Sequence, residues 1–165
     1  MYIALLQADA AGRDLTALRL GICGGGAPIP GEVIRALEHK FPTLVILQGY
    51  GLSETASLST VNVNAEHRKV RSIGKPIWGV QVRVVGEDGN EPPPGPEHLG
   101  EIVLRGYTVM KGYYNDSEAT TGAYRNGWLY TGDLGYRDED GDLFVVGRKN
   151  DIVSRDRYNI YPPET

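Results

Sequence analysis

Three short segments carry residue types and spacings that could do chemistry on a phosphorylated ligand. The segment GYGLSET places Tyr50, Ser53 and Glu54 in one glycine-bracketed turn. Tyr50 offers a flat ring for stacking, Ser53 a hydroxyl donor, and Glu54 a hard oxygen suited to Mg2+ beside phosphates. The same residues also fit a plain structural reading, with Tyr50 at a core edge, Ser53 as a helix N-cap and Glu54 facing a helix dipole. Upstream, GGGAP (Gly24 to Pro28) is either a tight turn that needs glycine for positive φ or a loop whose N–H groups receive an anion. Downstream, TGDLGYRDEDGDLFVVGRKND sets Asp133 before a hairpin, where a carboxylate can accept both hydroxyls of a ribose, and sets Arg148 at the hairpin's far end.

The elements that must position these residues follow from periodicity. Tyr2 to Gln7 reads as the end of a helix, and Leu18, Leu20 and Ile22 alternate with Arg19 and Gly21 as a strand entering the glycine loop. Val33, Ile34, Leu37 and Phe41 recur at helical spacing, with Pro30 suited to the first helical position. Leu44 to Leu47 is a second strand that ends at GYGLSET. Strand, helix, strand points to a parallel α/β layer, in which loops at the carboxyl ends of strands bind ligands. From about Ile73 the pattern becomes antiparallel β: Val80, Val82 and Val84 alternate with polar residues, and the GEDGN and DEDG turns close hairpins. Asp116 or Ser117 starts a short helix. The expected fold is thus a partial parallel α/β layer over 1–71, an antiparallel, barrel-like β unit over 72–151, and a final segment over 152–165. EPPPGPE reads as an extended surface loop.

Composition narrows the function classes. The chain has 165 residues, a formal net charge of −4 and one cysteine, Cys23. Lysines and arginines are dispersed, so neither a nucleic acid nor an anionic membrane is the expected partner. A lone cysteine forms no disulfide within the chain and no thiolate metal cage, and a reducing cytoplasm is the simplest setting. MYIALLQADA has no basic leader, and its apolar run is broken by Gln7 and Asp9.

Taken together, LRLGICGGGAPIP, QGYGLSET, SIGKPIWGVQVRVV, GEIVLRG, MKGYYND, TGDLGYRDEDG, GRKNDIV and YNIYPPE resemble the adenylate-forming superfamily of acyl-CoA synthetases, peptide-synthetase adenylation domains and beetle luciferases, in order and approximate spacing. The resemblance spans nearly the whole chain. It implies a two-step reaction: a carboxylate attacks the α-phosphate of ATP with Mg2+ assistance, giving an acyl-adenylate, and CoA then displaces AMP. It assigns Gly26, Ala27 and Pro28 to the adenine-pocket loop, Gln48 and Gly49 to the adenine edge, and Tyr50 to the stacking ring. Ser53 falls on the α-phosphate hydroxyl, Glu54 on the metal ligand, Asp133 on the ribose carboxylate, Val145 on the apolar residue against the ribose, and Arg148 on the basic residue near ribose and phosphate. Gly24 and Gly25 line the implied acyl entrance.

GYGLSET and YNIYPPE resemble the CoA ligases more than the peptide-synthetase domains, so a fatty or aryl acid is the implied substrate, with ATP and CoA as the other small-molecule partners. The family's upstream Ser/Thr/Gly-rich phosphate loop and its C-terminal domain with a catalytic lysine have no counterpart here. A middle section with little or no turnover is therefore expected, and surfaces exposed by their absence would favour self-association. Asp156 and Arg157 stand where the family commonly carries a glycine pair, which departs from its CoA tunnel, and Asn150 stands at the hinge position. Two other readings are a non-catalytic nucleotide-binding or self-associating module and an adenylation domain serving a carrier protein.

Overall fold

The computed structural model describes residues 1–24 and 29–151, with the backbone of two short strands beyond them, Val153–Arg155 and Tyr158–Ile160. The first unit is built from helix α1 (Tyr2–Gln7), strand β1 (Leu20–Cys23), helix α2 (Gly31–Lys40) and strand β2 (Val45–Tyr50). The two strands pair in parallel from Leu20↔Val45 to Cys23↔Gln48. The apolar stripe of α2 buries Ile34 and Leu37 against Phe41, Leu44 and Ile46, and Tyr2, Leu5 and Leu6 of α1 close that core. Full burial of side chains such as Leu37 stabilises the unit by roughly 1.5–3 kcal/mol each. Pro30 takes the N-cap, one residue earlier than the sequence suggested. Its extended ψ of 136° turns the chain into the helix, while its carbonyl accepts the amides of Val33 and Ile34. The alternating pair Leu20 and Ile22 faces outward at 55 and 57 % exposure, because α2 covers the opposite face of β1.

The sheet continues through strands β3 (Thr60–Val61) and β4 (Lys75–Pro76), both antiparallel, giving a mixed sheet of order β1-β2-β3-β4. Two side chains finish the open flank of β2. Glu38 accepts the Ile46 amide at 2.8 Å and the Arg68 guanidinium at 2.6 Å, while Arg68 donates to the Ile46 carbonyl. Both polar groups of a buried strand residue are thereby satisfied without a neighbouring strand.

The second unit is antiparallel: β5 (Val80–Val85), β6 (Gly100–Gly106), β7 (Tyr124–Arg125), β8 (Trp128–Arg137) and β9 (Leu143–Arg148), with helix α3 (Ser117–Ala123) before β7. The order is β5-β6-β8-β7, with β9 also on β8. Register shifts between Glu101 and Val103 and between Leu134 and Gly135 bend the long strands, curling the sheet into the expected half-barrel. Val84, Ile102 and Leu104 fill the inner face with Ile73 and Leu143. Arg83 and Arg105 cover Trp128 on the outer face. Asp116 caps α3, accepting the Ala119 amide at 2.8 Å.

A backbone rung ties the first sheet to strand β9. Ile73 donates to the Leu143 carbonyl at 2.9 Å, and Leu143 returns a bond to the Gly74 carbonyl at 3.0 Å. Gly74 sits at φ 77°, and a Cβ there would lie 2.2 Å from the Val61 carbonyl, so only glycine fits this junction.

Candidate nucleotide site

The GYGLSET turn leaves the carboxyl end of β2 as a short 3-10 turn, Ser53–Thr55. Thr55, fully buried, fastens it: its hydroxyl accepts the Leu52 amide at 2.9 Å and donates to the Leu52 carbonyl at 3.1 Å. Gly51 is required by packing, since a Cβ would lie 1.8 Å from the Ser57 carbonyl. Ser53 is exposed on this turn, and its hydroxyl is bonded to none of the described residues. Glu54 is half-buried. Its carbonyl accepts the Met110 amide at 2.7 Å and its Oε1 accepts the Tyr113 hydroxyl at 2.9 Å.

The second half of the site comes from the β8–β9 hairpin. Asp133 and Arg148 are cross-strand partners, with Arg148 Nε 3.1 Å from Asp133 Oδ1. The carboxylate is buried, whereas the arginine side chain is 62 % exposed and reaches toward solvent. Asp133 Oδ2 accepts the Tyr50 hydroxyl at 2.6 Å, which brings the two motifs together from the separate units. Burial first, and then the neighbouring Asp133 charge, push the Tyr50 phenol well above its ordinary range, so it stays a donor at neutral pH. Thr131 fixes the hairpin locally, accepting the Asp133 amide at 3.1 Å and donating to the Ile102 carbonyl at 2.7 Å. Glu101 accepts the Gly132 amide and the Lys149 ammonium, at 3.0 and 3.1 Å.

Gln48 is buried, and its side-chain carbonyl accepts the amide of Arg71, a residue held at φ 77°. Gly49 lies buried beside it and pairs with Val61. Gly24 is exposed at the end of β1, where a Cβ would approach the Gly49 carbonyl to 3.0 Å. Val145 and Tyr50 pack against the same second core. Gly25, Gly26, Ala27 and Pro28 of the glycine loop, and Asp156 and Arg157 of the tail, lie outside the described residues.

The fold therefore clusters Tyr50, Asp133, Val145 and Arg148, with Ser53 and Glu54 one turn further along the chain from Tyr50. Sequence reasoning passed over Thr55, Tyr113 and Thr131. The first was legible as a Thr three residues after Leu52, at the spacing of a side-chain staple. Tyr113 and Thr131 act through tertiary contacts that no local pattern announces. The donor set suits a magnesium nucleotide: one hard carboxylate oxygen of Glu54, Oε2, with the rest of the shell left to water and phosphate, is how Mg2+ is usually held.

The model of the AMP-binding enzyme family matches residues 1–114. A 2-succinylbenzoate–CoA ligase of Bacillus mycoides is 40 % identical over 165 residues, covering 99 % of this chain and 33 % of that protein. A long-chain-fatty-acid–CoA ligase of Bacillus subtilis is 38 % identical over 165 residues, covering 99 % of this chain and 29 % of that protein. Among solved structures, the O-succinylbenzoate–CoA synthetase of Bacillus subtilis in complex with ATP and magnesium superposes with a TM-score of 0.84 at 34 % identity, over 98 % of this chain and 32 % of that one. An anthranilate–CoA ligase in complex with anthranoyl-AMP gives 0.85 at 26 % identity, over 98 % of this chain and 30 % of that one. The chain spans about a third of the length of these relatives. With its motifs, its fold and its relatives in agreement, the chain belongs to the AMP-binding enzyme family.

Proposed function

We propose that this chain is the adenylate-binding middle section of an AMP-forming acid–CoA ligase acting in the cytoplasm on an aryl or fatty acid. The observation that carries the reading is the meeting of Tyr50, Asp133 and Arg148, which puts an aromatic ring, a buried carboxylate and an exposed guanidinium at one place. The Tyr50 ring and Val145 offer apolar surface to base and ribose, Asp133 accepts the ribose hydroxyls through its remaining lone pairs, and Arg148 turns toward the phosphate. Ser53 donates to the α-phosphate. Mg2+, held by Glu54, supplies charge neutralisation of the phosphates when bound. Relatives named for succinylbenzoate and for long-chain fatty acids support an aryl or fatty acid substrate, and CoA as acceptor goes with the same names.

The chain's part in this chemistry is recognition of the adenylate, with turnover assigned to the longer assembly of which its relatives are made. Leu20 and Ile22, exposed on the open strand β1, are where self-association would occur, and light scattering over a concentration series reads it.

Calorimetric titration with a non-hydrolysable acyl-sulfamoyl adenosine tests the reading. The chain is expected to bind it, and Asp133→Ala to weaken binding by about 10-fold or more, as loss of a charge-assisted hydrogen bond does. Equal affinity in the variant, or no binding at millimolar mimic, would refute the assignment.

A further inference from the structure

We propose that Tyr113 is a positioning residue for Glu54, holding the carboxylate in the orientation that receives the divalent cation; this rests on the reading of Glu54 as the metal ligand. Two bonds join the GYGLSET turn to the MKGYYND segment, at different atoms of one residue. The Met110 amide fixes the Glu54 backbone, and the Tyr113 hydroxyl fixes its side chain through Oε1. Oε2 has no hydrogen bond to a described residue, so the tyrosine orients the carboxylate and leaves one oxygen free for a cation.

Tyr113 is itself anchored. Its amide donates to Thr120 Oγ1 at 2.9 Å, and that hydroxyl donates to the Asp116 carbonyl at 2.7 Å, which ties the segment to the first turn of α3. Tyr124 adds a third tie, donating to the Met110 carbonyl. A phenol on a mobile loop could not orient its partner, but one held at its own backbone can. Outer partners that fix a ligating carboxylate in this way typically set metal affinity within a factor of 10–100.

The test compares ATP affinity of the full chain in Mg2+ with that in EDTA, by calorimetry, for the unmodified chain, Glu54→Gln, Tyr113→Phe and Tyr113→His. The expected result is a Mg2+-dependent gain in the unmodified chain, lost in Glu54→Gln and reduced about 10-fold in Tyr113→Phe. Affinity in EDTA and for acyl-sulfamoyl adenosine should be unchanged in Tyr113→Phe, which shows that the pocket is folded. Tyr113→His, which keeps a donor, should recover part of the gain. If Glu54→Gln loses the gain while Tyr113→Phe keeps it, Tyr113 has no positioning role and the metal reading stands. If the unmodified chain shows no gain, the metal reading and the proposal fall together.

Discussion

The Tyr50 hydroxyl donates to Asp133 across 2.6 Å, joining residues 83 positions apart in the chain and in different sheets. This hydrogen bond thus links the carboxyl end of β2 to the hairpin β8–β9. It also satisfies one oxygen of a buried carboxylate whose other oxygen is held by a largely exposed arginine.

Removing that bond has a defined cost. Tyr50→Phe keeps the ring against the second core and takes away one donor to a charged acceptor, so unfolding free energy should fall by about 1.5–3 kcal/mol, read from urea midpoints. Affinity for acyl-sulfamoyl adenosine should fall less than in Asp133→Ala, because the stacking surface survives.

The same phenol predicts a loss of stability in alkali. Its folded pKa is raised above the ordinary 10.0 by burial and by Asp133. The folded state therefore binds the proton more tightly than the unfolded chain. Stability from this group is complete below pH 10.0 and is lost as the pH climbs above it. Tyr2, Tyr113 and Tyr124 are shifted in the same direction. Urea unfolding at about pH 8 and about pH 11 should show a smaller difference in Tyr50→Phe than in the unmodified chain.

Glu38→Ala should be among the more damaging single changes in the first unit. It leaves the Ile46 amide without its partner and Arg68, with a side chain only 14 % exposed, without its counter-charge. A loss of about 2–3 kcal/mol is expected from denaturant melts. Glu38→Gln, which retains an acceptor, should lose less.

Gly51→Ala should separate the turn from its surroundings. The new methyl would meet the Ser57 carbonyl at 1.8 Å, and overpacking of this kind costs about 1–3 kcal/mol. Mimic affinity should fall together with stability, whereas Gly122→Ala, within α3 where a Cβ meets nothing within 4 Å, should leave affinity unchanged and raise stability by about 0.5–1 kcal/mol.

Much of this architecture is legible in the sequence. The Val80, Val82, Val84 alternation faces the core or stands half-buried as period two demands, and Asp116 caps α3 as its position implied. The motif residues Tyr50, Asp133 and Arg148 were each identifiable, but their mutual distances were not, since those depend on how two sheets meet. The outward orientation of Leu20 and Ile22 was likewise hidden: alternation shows that a strand has two faces, and only the packing of α2 decides which one is covered. Tyr113 escaped notice because a tyrosine acquires a positioning role only when a distant carboxylate lies within reach.

The rung between Gly74 and Leu143 bears on binding kinetics. It is made of main-chain atoms, and no ligand group takes part in it, so the two walls of the pocket are held in register before a nucleotide arrives. Association with an adenosine ligand should then proceed without a slow assembly phase, as a single exponential whose rate rises linearly with ligand concentration. The entropy of bringing stacking ring and ribose carboxylate together is spent during folding, and the ligand meets a site already built.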